Sequence, residues 1–275
     1  MRLAHPVLSF FGLTFLISGA AAAPLIASLH GLLPVAVPPF LGLVAAVGPG
    51  IAALAVTILE DGRPGARRLL GSVLRWRVGI AWYLVALLFA PIVLAATFAL
   101  NAWLGAPFPS LAHRLPGLLP LFLILTVQTG FGEELGWRGF AQRRLQATFT
   151  PLRAALLVGI VWSLWHLPLF LIPGSMQWQL WRAGGLLAAV GGYSAYLVFT
   201  AVLYALVMNA SGSVLMPMLL HGSTNATAWL FSLNEVEQQG VRPMLLLTTL
   251  QAALVIAWLF AGRALATSRR LNSSL

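Results

Sequence analysis

Apolar residues follow one another along this chain without the regular polar interruptions that a water-facing helix surface needs. A helix that crosses hydrocarbon requires about twenty consecutive, mostly apolar residues. Eight stretches meet that requirement: residues 7–29, 36–58, 78–104, 116–136, 153–172, 185–209, 213–232 and 243–262. They are apolar on every face and not striped, as expected of helices solvated by lipid. The predicted fold is therefore all-α, a polytopic transmembrane bundle of about eight helices. No internal repeat, long linker or compositional break divides the chain, so residues 1–275 are expected to form a single integral membrane domain. Pro49, Pro91, Pro168 and Pro217 fall within apolar runs and predict kinks, which leave room for cavities. Gly184, Gly185, Gly191 and Gly192 predict close packing between helices.

Composition narrows the class. Apolar residues make up 60% of the chain, charged residues only 8%, and the mean hydropathy is +0.91. An ordinary soluble domain is about 25% charged, so this chain cannot clothe itself in polar side chains. The absence of cysteine excludes disulfides, thiolate metal sites and a cysteine nucleophile. The net charge of +10 rests entirely on arginine, since the chain has no lysine. If the N-terminus is inside, alternating spans place thirteen arginines on the cytoplasmic side: Arg2, Arg63, Arg67, Arg68, Arg75, Arg77, Arg138, Arg143, Arg144, Arg153, Arg263, Arg269 and Arg270. Only Arg114, Arg182 and Arg242 fall on the other side. Positive loops stay inside, so both termini are expected in the cytoplasm. The basic charge is thus explained by topology and anionic lipid, and no aromatic-basic pattern suggests nucleic acid. The missing lysine and compact loops point to a bacterial plasma membrane. Residues 1–29 resemble a signal peptide in the run Gly19 to Ala23, but the apolar stretch continues to Leu29, which better suits a retained helix.

Polar residues inside these runs carry the chemical information, because an ionisable group at membrane depth needs a partner or a purpose. Of six acidic residues, Glu133 and Glu134 stand side by side near the cytoplasmic end of the fourth run. Glu60, Asp61, Glu235 and Glu237 fall in loops and read as solvated charges. On a helix, Glu134 and Arg138 are four residues apart and can pair on one face. Adjacent side chains diverge by about 100°, which turns Glu133 elsewhere, toward a cavity and a water. As a structural arrangement, Glu134 and Arg138 would simply hold a helix end. His166 lies about 20 Å along the fifth span, while His221 and Asn225 share a face of the seventh, starting about 12 Å from the same membrane side. Three helices therefore bring acid, imidazole and amide groups to compatible depths.

That set is chemically sufficient to hydrolyse an amide. Glu133 can take a proton from water, His166 can hold that water, and His221 with Asn225 can stabilise the oxyanion. Ser163 and Ser223 lie nearby, but no G-x-S-x-G elbow accompanies them. Glutamate with two histidines is also a zinc-binding set, with Glu133, His166 and His221 as candidate ligands, although the helix signature H-E-x-x-H is absent. Zinc and metal-free activation of water both remain open.

The motif Glu133-Glu134-x-x-x-Arg138, the pair Trp162-x-x-x-His166 and the pair His221-x-x-x-Asn225 resemble those of the CPBP family, the CAAX-protease and bacteriocin-processing intramembrane endopeptidases, also called the Abi family. That family carries E-E-x-x-x-R, F-x-x-x-H and H-x-x-x-N or D on an eight-helix core. Here Trp162 takes the phenylalanine position. The resemblance covers residues 115–230, and it implies glutamate-dependent proteolysis in which Glu133 and His166 activate water while His221 and Asn225 form the oxyanion site. It further implies a peptide or membrane-protein substrate, CAAX-type or bacteriocin-like. A scaffold or a small-solute transporter is the alternative. A transporter would be expected to show repeated halves, whereas a scaffold would tolerate loss of the Glu133 charge.

Overall fold

The computed structural model describes residues 3–272 apart from Ala36, Pro39 and Asn234, with side chains described as far as Ala261. Arg2 and the side chains of Arg263, Arg269 and Arg270, which enter the predicted charge bias, lie outside the described residues. Among the described residues, nine helices carry the architecture: α1 (Pro6–Leu29), α2 (Leu41–Gly71), α3 (Ile80–Trp103), α4 (Leu115–Leu145), α5 (Pro151–Trp165), α6 (Met176–Gly184), α7 (Leu186–Ser211), α8 (Leu215–Leu230) and α9 (Arg242–Asn272). No strand occurs among the described residues.

Local chemistry sets the helix boundaries. Pro6 and Pro151 open α1 and α5, where a missing N–H goes unnoticed. Thr150 caps α5 by accepting from the Arg153 N–H at 3.3 Å, and Ser175 caps α6 through Trp178 at 3.1 Å. At Gly212, with φ of 69°, α7 stops, and a short turn reverses the chain into α8. That turn is anchored to the α2–α3 loop, because the Ser213 hydroxyl donates to Arg75 O at 2.7 Å. Within α2, Gly62 adopts φ of 63° and breaks the helix between its apolar span and the arginine-rich segment.

Among the described residues, seven helices are long and apolar enough to cross a membrane. The expected span at 213–232 differs, since α8 has only sixteen residues. It is also mostly buried, so protein and not lipid surrounds its polar stretch, and the length needed to meet lipid on both sides does not apply. The fourth span reaches beyond residue 136 to Leu145 and changes character midway. No residue of Leu115–Leu125 is buried, whereas every residue from Gly132 to Gln142 is. Its two segments Thr126–Phe131 and Leu135–Gln142 are π-helical and flank the α-helical turn Gly132–Glu134. Such wider turns are rare and concentrate at functional sites.

Glycine does pack helices together here, but not at the predicted positions. Gly185, Gly191 and Gly192 have open space where a Cβ would sit, because the start of α7 faces outward; Leu187 is 89% exposed. Several of the tightest contacts lie around α4. A Cβ on Gly136 would meet Pro49 O at 2.5 Å, one on Gly130 would meet Met218 O at 2.7 Å, and one on Gly222 would meet Thr126 Oγ1 at 2.0 Å. Pro217 falls in the first turn of α8 and Pro168 just beyond α5, so both sit at helix ends.

Candidate active site

Glu133 and Glu134 are 4% and 0% exposed, and Arg138 is fully buried. Their side chains diverge. Arg138 Nη1 lies 3.0 Å from Glu134 Oε2 and 3.1 Å from Oε1. The guanidinium lies against two aromatic rings, with its Cζ 4.7 Å from the Trp162 ring and 5.0 Å from that of Tyr204. On its other side, Glu134 Oε1 accepts from His221 Nδ1 at 2.9 Å. A carboxylate only accepts, so this bond puts a proton on Nδ1 and leaves Nε2 of His221 to serve elsewhere.

Glu133 turns the other way. Its Oε2 accepts from the Trp162 indole N–H at 2.7 Å, and the residue lines a cavity of about 640 Å³. Trp162 thus does what phenylalanine at the same position could not. Its backbone serves too, because Trp162 O accepts from His166 Nδ1 at 2.8 Å, which leaves His166 Nε2 with its lone pair. His166 is the residue at which α5 gives way to a short 3₁₀ turn, Leu167–Leu171, since Pro168 cannot continue the α-helix.

His166, His221 and Asn225 line the same cavity as Glu133, whereas Glu134 and Arg138 stand behind it. Asn225 Nδ2 donates to Thr129 Oγ1 at 3.1 Å, one turn before Glu133, which occupies one of its two N–H donors. From Glu133 the cavity follows Thr129, Leu125 and Leu121 along α4, at four-residue steps, toward the end of the bundle where α1 joins α2. At the opposite end, Trp137, Phe140 and Phe10, all fully buried, pack against one another. Three of the chain's four tyrosines, Tyr193, Tyr196 and Tyr204, line the cavity from α7. Apolar context had hidden them in the sequence, although their spacing of three and eight residues on one helix was readable.

Glu133, His166 and His221 share the cavity, yet among the described residues no three His, Cys, Asp or Glu side chains lie close enough together to hold a metal ion. The donor types suit zinc, but their arrangement does not. Outside the site, Glu235 is not a solvated charge: it pairs with Arg114, whose side chain is 13% exposed. Asp61 lies 3.4 Å from Arg144 and 3.9 Å from Arg68.

Comparison with known proteins bears on the same segment. Residues 115–227 match the family model described as type II CAAX prenyl endopeptidase Rce1-like, a range that includes all six of these polar residues. Over 62 residues the chain is 45% identical to CAAX prenyl protease 2 of Methanococcus maripaludis. That stretch is 22% of this chain and 22% of the relative, so the match spans about a fifth of either protein. Both findings support the family assignment read from the three motifs.

Proposed function

We propose that membership of the CAAX-protease family, supported over residues 115–227, carries its activity with it, and that this chain hydrolyses peptide bonds of membrane-associated substrates inside the bilayer. One observation carries the reading: Glu133, a buried carboxylate, lines a cavity of about 640 Å³ together with two histidines whose Nδ1 atoms are already engaged. A purely structural network would bury its polar groups against one another. Here Glu134 and Arg138 do so, while Glu133 is left facing space a substrate can fill.

In the proposed mechanism, Trp162 holds Glu133 by one oxygen, and the other takes a proton from a water that is also bonded to His166 Nε2. The hydroxide so formed adds to the carbonyl carbon. The remaining N–H of Asn225 donates to the oxyanion. His221, whose Nδ1 proton is held by Glu134, adds a second donor from Nε2 when both ring nitrogens carry protons. Collapse of the tetrahedral intermediate expels the amine, which takes the proton held by Glu133. No covalent enzyme intermediate is needed, and no step passes through a metal. The arginine bias supports both termini lying inside, which directs the cavity toward the outer leaflet of a bacterial plasma membrane.

The test is cleavage of a quenched fluorogenic peptide library by detergent-purified protein. Wild type is expected to turn over and to keep its rate in chelator. Glu133→Gln and His166→Ala are expected to lose at least about a hundredfold, with unchanged thermal melts. Cleavage that survives both substitutions, or none by wild type, supports a scaffold instead.

A further inference from the structure

Thr129 belongs to none of the three motifs, yet it lines the cavity. Among the described residues of α4 on that wall, Leu121, Leu125, Thr129 and Glu133, it is the one that carries a hydroxyl. A threonine inside a helix commonly returns its hydroxyl proton to the carbonyl four residues back. Thr129 does so, donating to Leu125 O at 2.9 Å. With that proton spent, its Oγ1 faces the neighbouring helix as an acceptor only. What it accepts, at 3.1 Å, is an N–H of Asn225 Nδ2, 96 positions further along the chain. A threonine that merely packed a helix would have no use for such a partner.

Among the described residues, two side-chain hydrogen bonds therefore join α4 to α8, and each holds a residue of the third motif. Glu134 holds His221, and Thr129 holds Asn225. The helices approach closely here because Gly222 presents no Cβ to Thr126, and Gly130 none to Met218 O. The second bond decides which end of the carboxamide faces the cavity. The terminal torsion of asparagine is broad and roughly two-fold, so an untethered side chain can turn either its NH2 group or its Oδ1 to a substrate. The NH2 group stabilises an oxyanion, whereas Oδ1 repels it. An acceptor-only Thr129 admits the NH2 group alone. Because a carboxamide is planar, fixing one N–H also fixes the line along which the other points.

Granting the proteolytic reading, we infer that Thr129 is a positioning residue that sets the flip of Asn225, so that the second N–H of Asn225, and not its carbonyl oxygen, meets the oxyanion. Thr129→Val keeps the shape of the side chain and deletes the acceptor. In cleavage of a quenched fluorogenic peptide it is expected to lower kcat about tenfold or more, short of the hundredfold or more that loss of a whole oxyanion donor costs, with KM and the melt near wild type. Thr129→Ser restores the acceptor and is expected to recover kcat to within about threefold of wild type. In an Asn225→Ala background, Thr129→Val is expected to change the residual kcat by less than about twofold, because no amide is left to orient. Wild-type kcat in Thr129→Val, a Thr129→Ser as slow as Thr129→Val, or losses that multiply in the double variant each overturn the inference while leaving proteolysis intact. If Thr129→Val melts early, Thr129→Ala, which also deletes the acceptor, takes its place in the same comparisons. Failure of wild type to cleave removes the proteolytic reading and this inference with it.

Discussion

His221 of α8 donates from Nδ1 to Glu134 Oε1 of α4 across 2.9 Å, although the two residues are 87 positions apart in the chain. The bond joins the first and third motifs directly. Because Arg138 holds the same carboxylate, Glu134 is the centre of a row of three buried groups, and it does not line the cavity.

Removing the centre of that row should therefore damage the fold more than removing its end. Glu134→Ala leaves Arg138 buried without a counter-charge, a loss of about 3–5 kcal/mol. A fall in melting temperature of many degrees in detergent is expected, whereas His221→Ala should melt much nearer wild type and yet be inactive. A Glu134→Ala variant that melts like wild type would show the row to be dispensable for folding.

Trp162 offers a narrower test. Phenylalanine there keeps the aromatic face over Arg138 and the carbonyl that orients His166, and deletes only the N–H that holds Glu133. A hydrogen bond to a charged group contributes about 1.5–3 kcal/mol. Trp162→Phe should accordingly lower kcat about tenfold or more while KM and the melt stay close to wild type. A rise in KM with unchanged kcat would mean that the indole serves substrate binding.

Glycines divide into two classes with opposite expected responses. Gly136→Ala forces a methyl group against Pro49 O, and overpacking of this kind costs about 1–3 kcal/mol. Gly191→Ala meets open space within a helix and should be neutral or stabilising by about 0.5–1 kcal/mol. Thermal melts of the two variants decide the matter, and equal destabilisation would contradict the packing described.

Because the chain has no cysteine, single cysteines report topology without background. Ala22→Cys, on the cavity wall, should react with a membrane-impermeant maleimide added outside intact cells, and Arg67→Cys should react only after lysis. The reverse pattern would invert the proposed orientation and the leaflet from which the cavity is reached.

Much of this molecule was legible as sequence, and the exceptions have physical reasons. Lipid imposes length and uniform hydrophobicity on each span, so seven crossings were visible as runs. Helix α8 escaped the rule because protein surrounds it, and a buried helix need not match the bilayer. The four-residue spacing of Glu134 and Arg138 was sufficient to suggest their pairing, and it persists although the helix is π-wound from Leu135. The engagement of His221 by Glu134, in contrast, depends on how two distant helices register, which no local spacing encodes. That Trp162 puts an aromatic ring at the phenylalanine position can be read from the residue type, whereas the aim of its indole N–H cannot. Glycine was misjudged for a related reason: composition reveals where Cβ is missing, but only the neighbouring backbone reveals whether it needed to be.

Backbone contacts at Gly130, Gly136 and Gly222 have a consequence for how this protein can change over time. Side chains that face lipid are free to drift among apolar types. The axial position and rotation of α4 against α2 and α8 are keyed at Gly136 and Gly130 by main-chain oxygens that no substitution can trim. Variation is thereby steered outward, to the membrane-facing rim and the cavity wall, where new substrate preferences can arise without disturbing the alignment of Glu134 with His221.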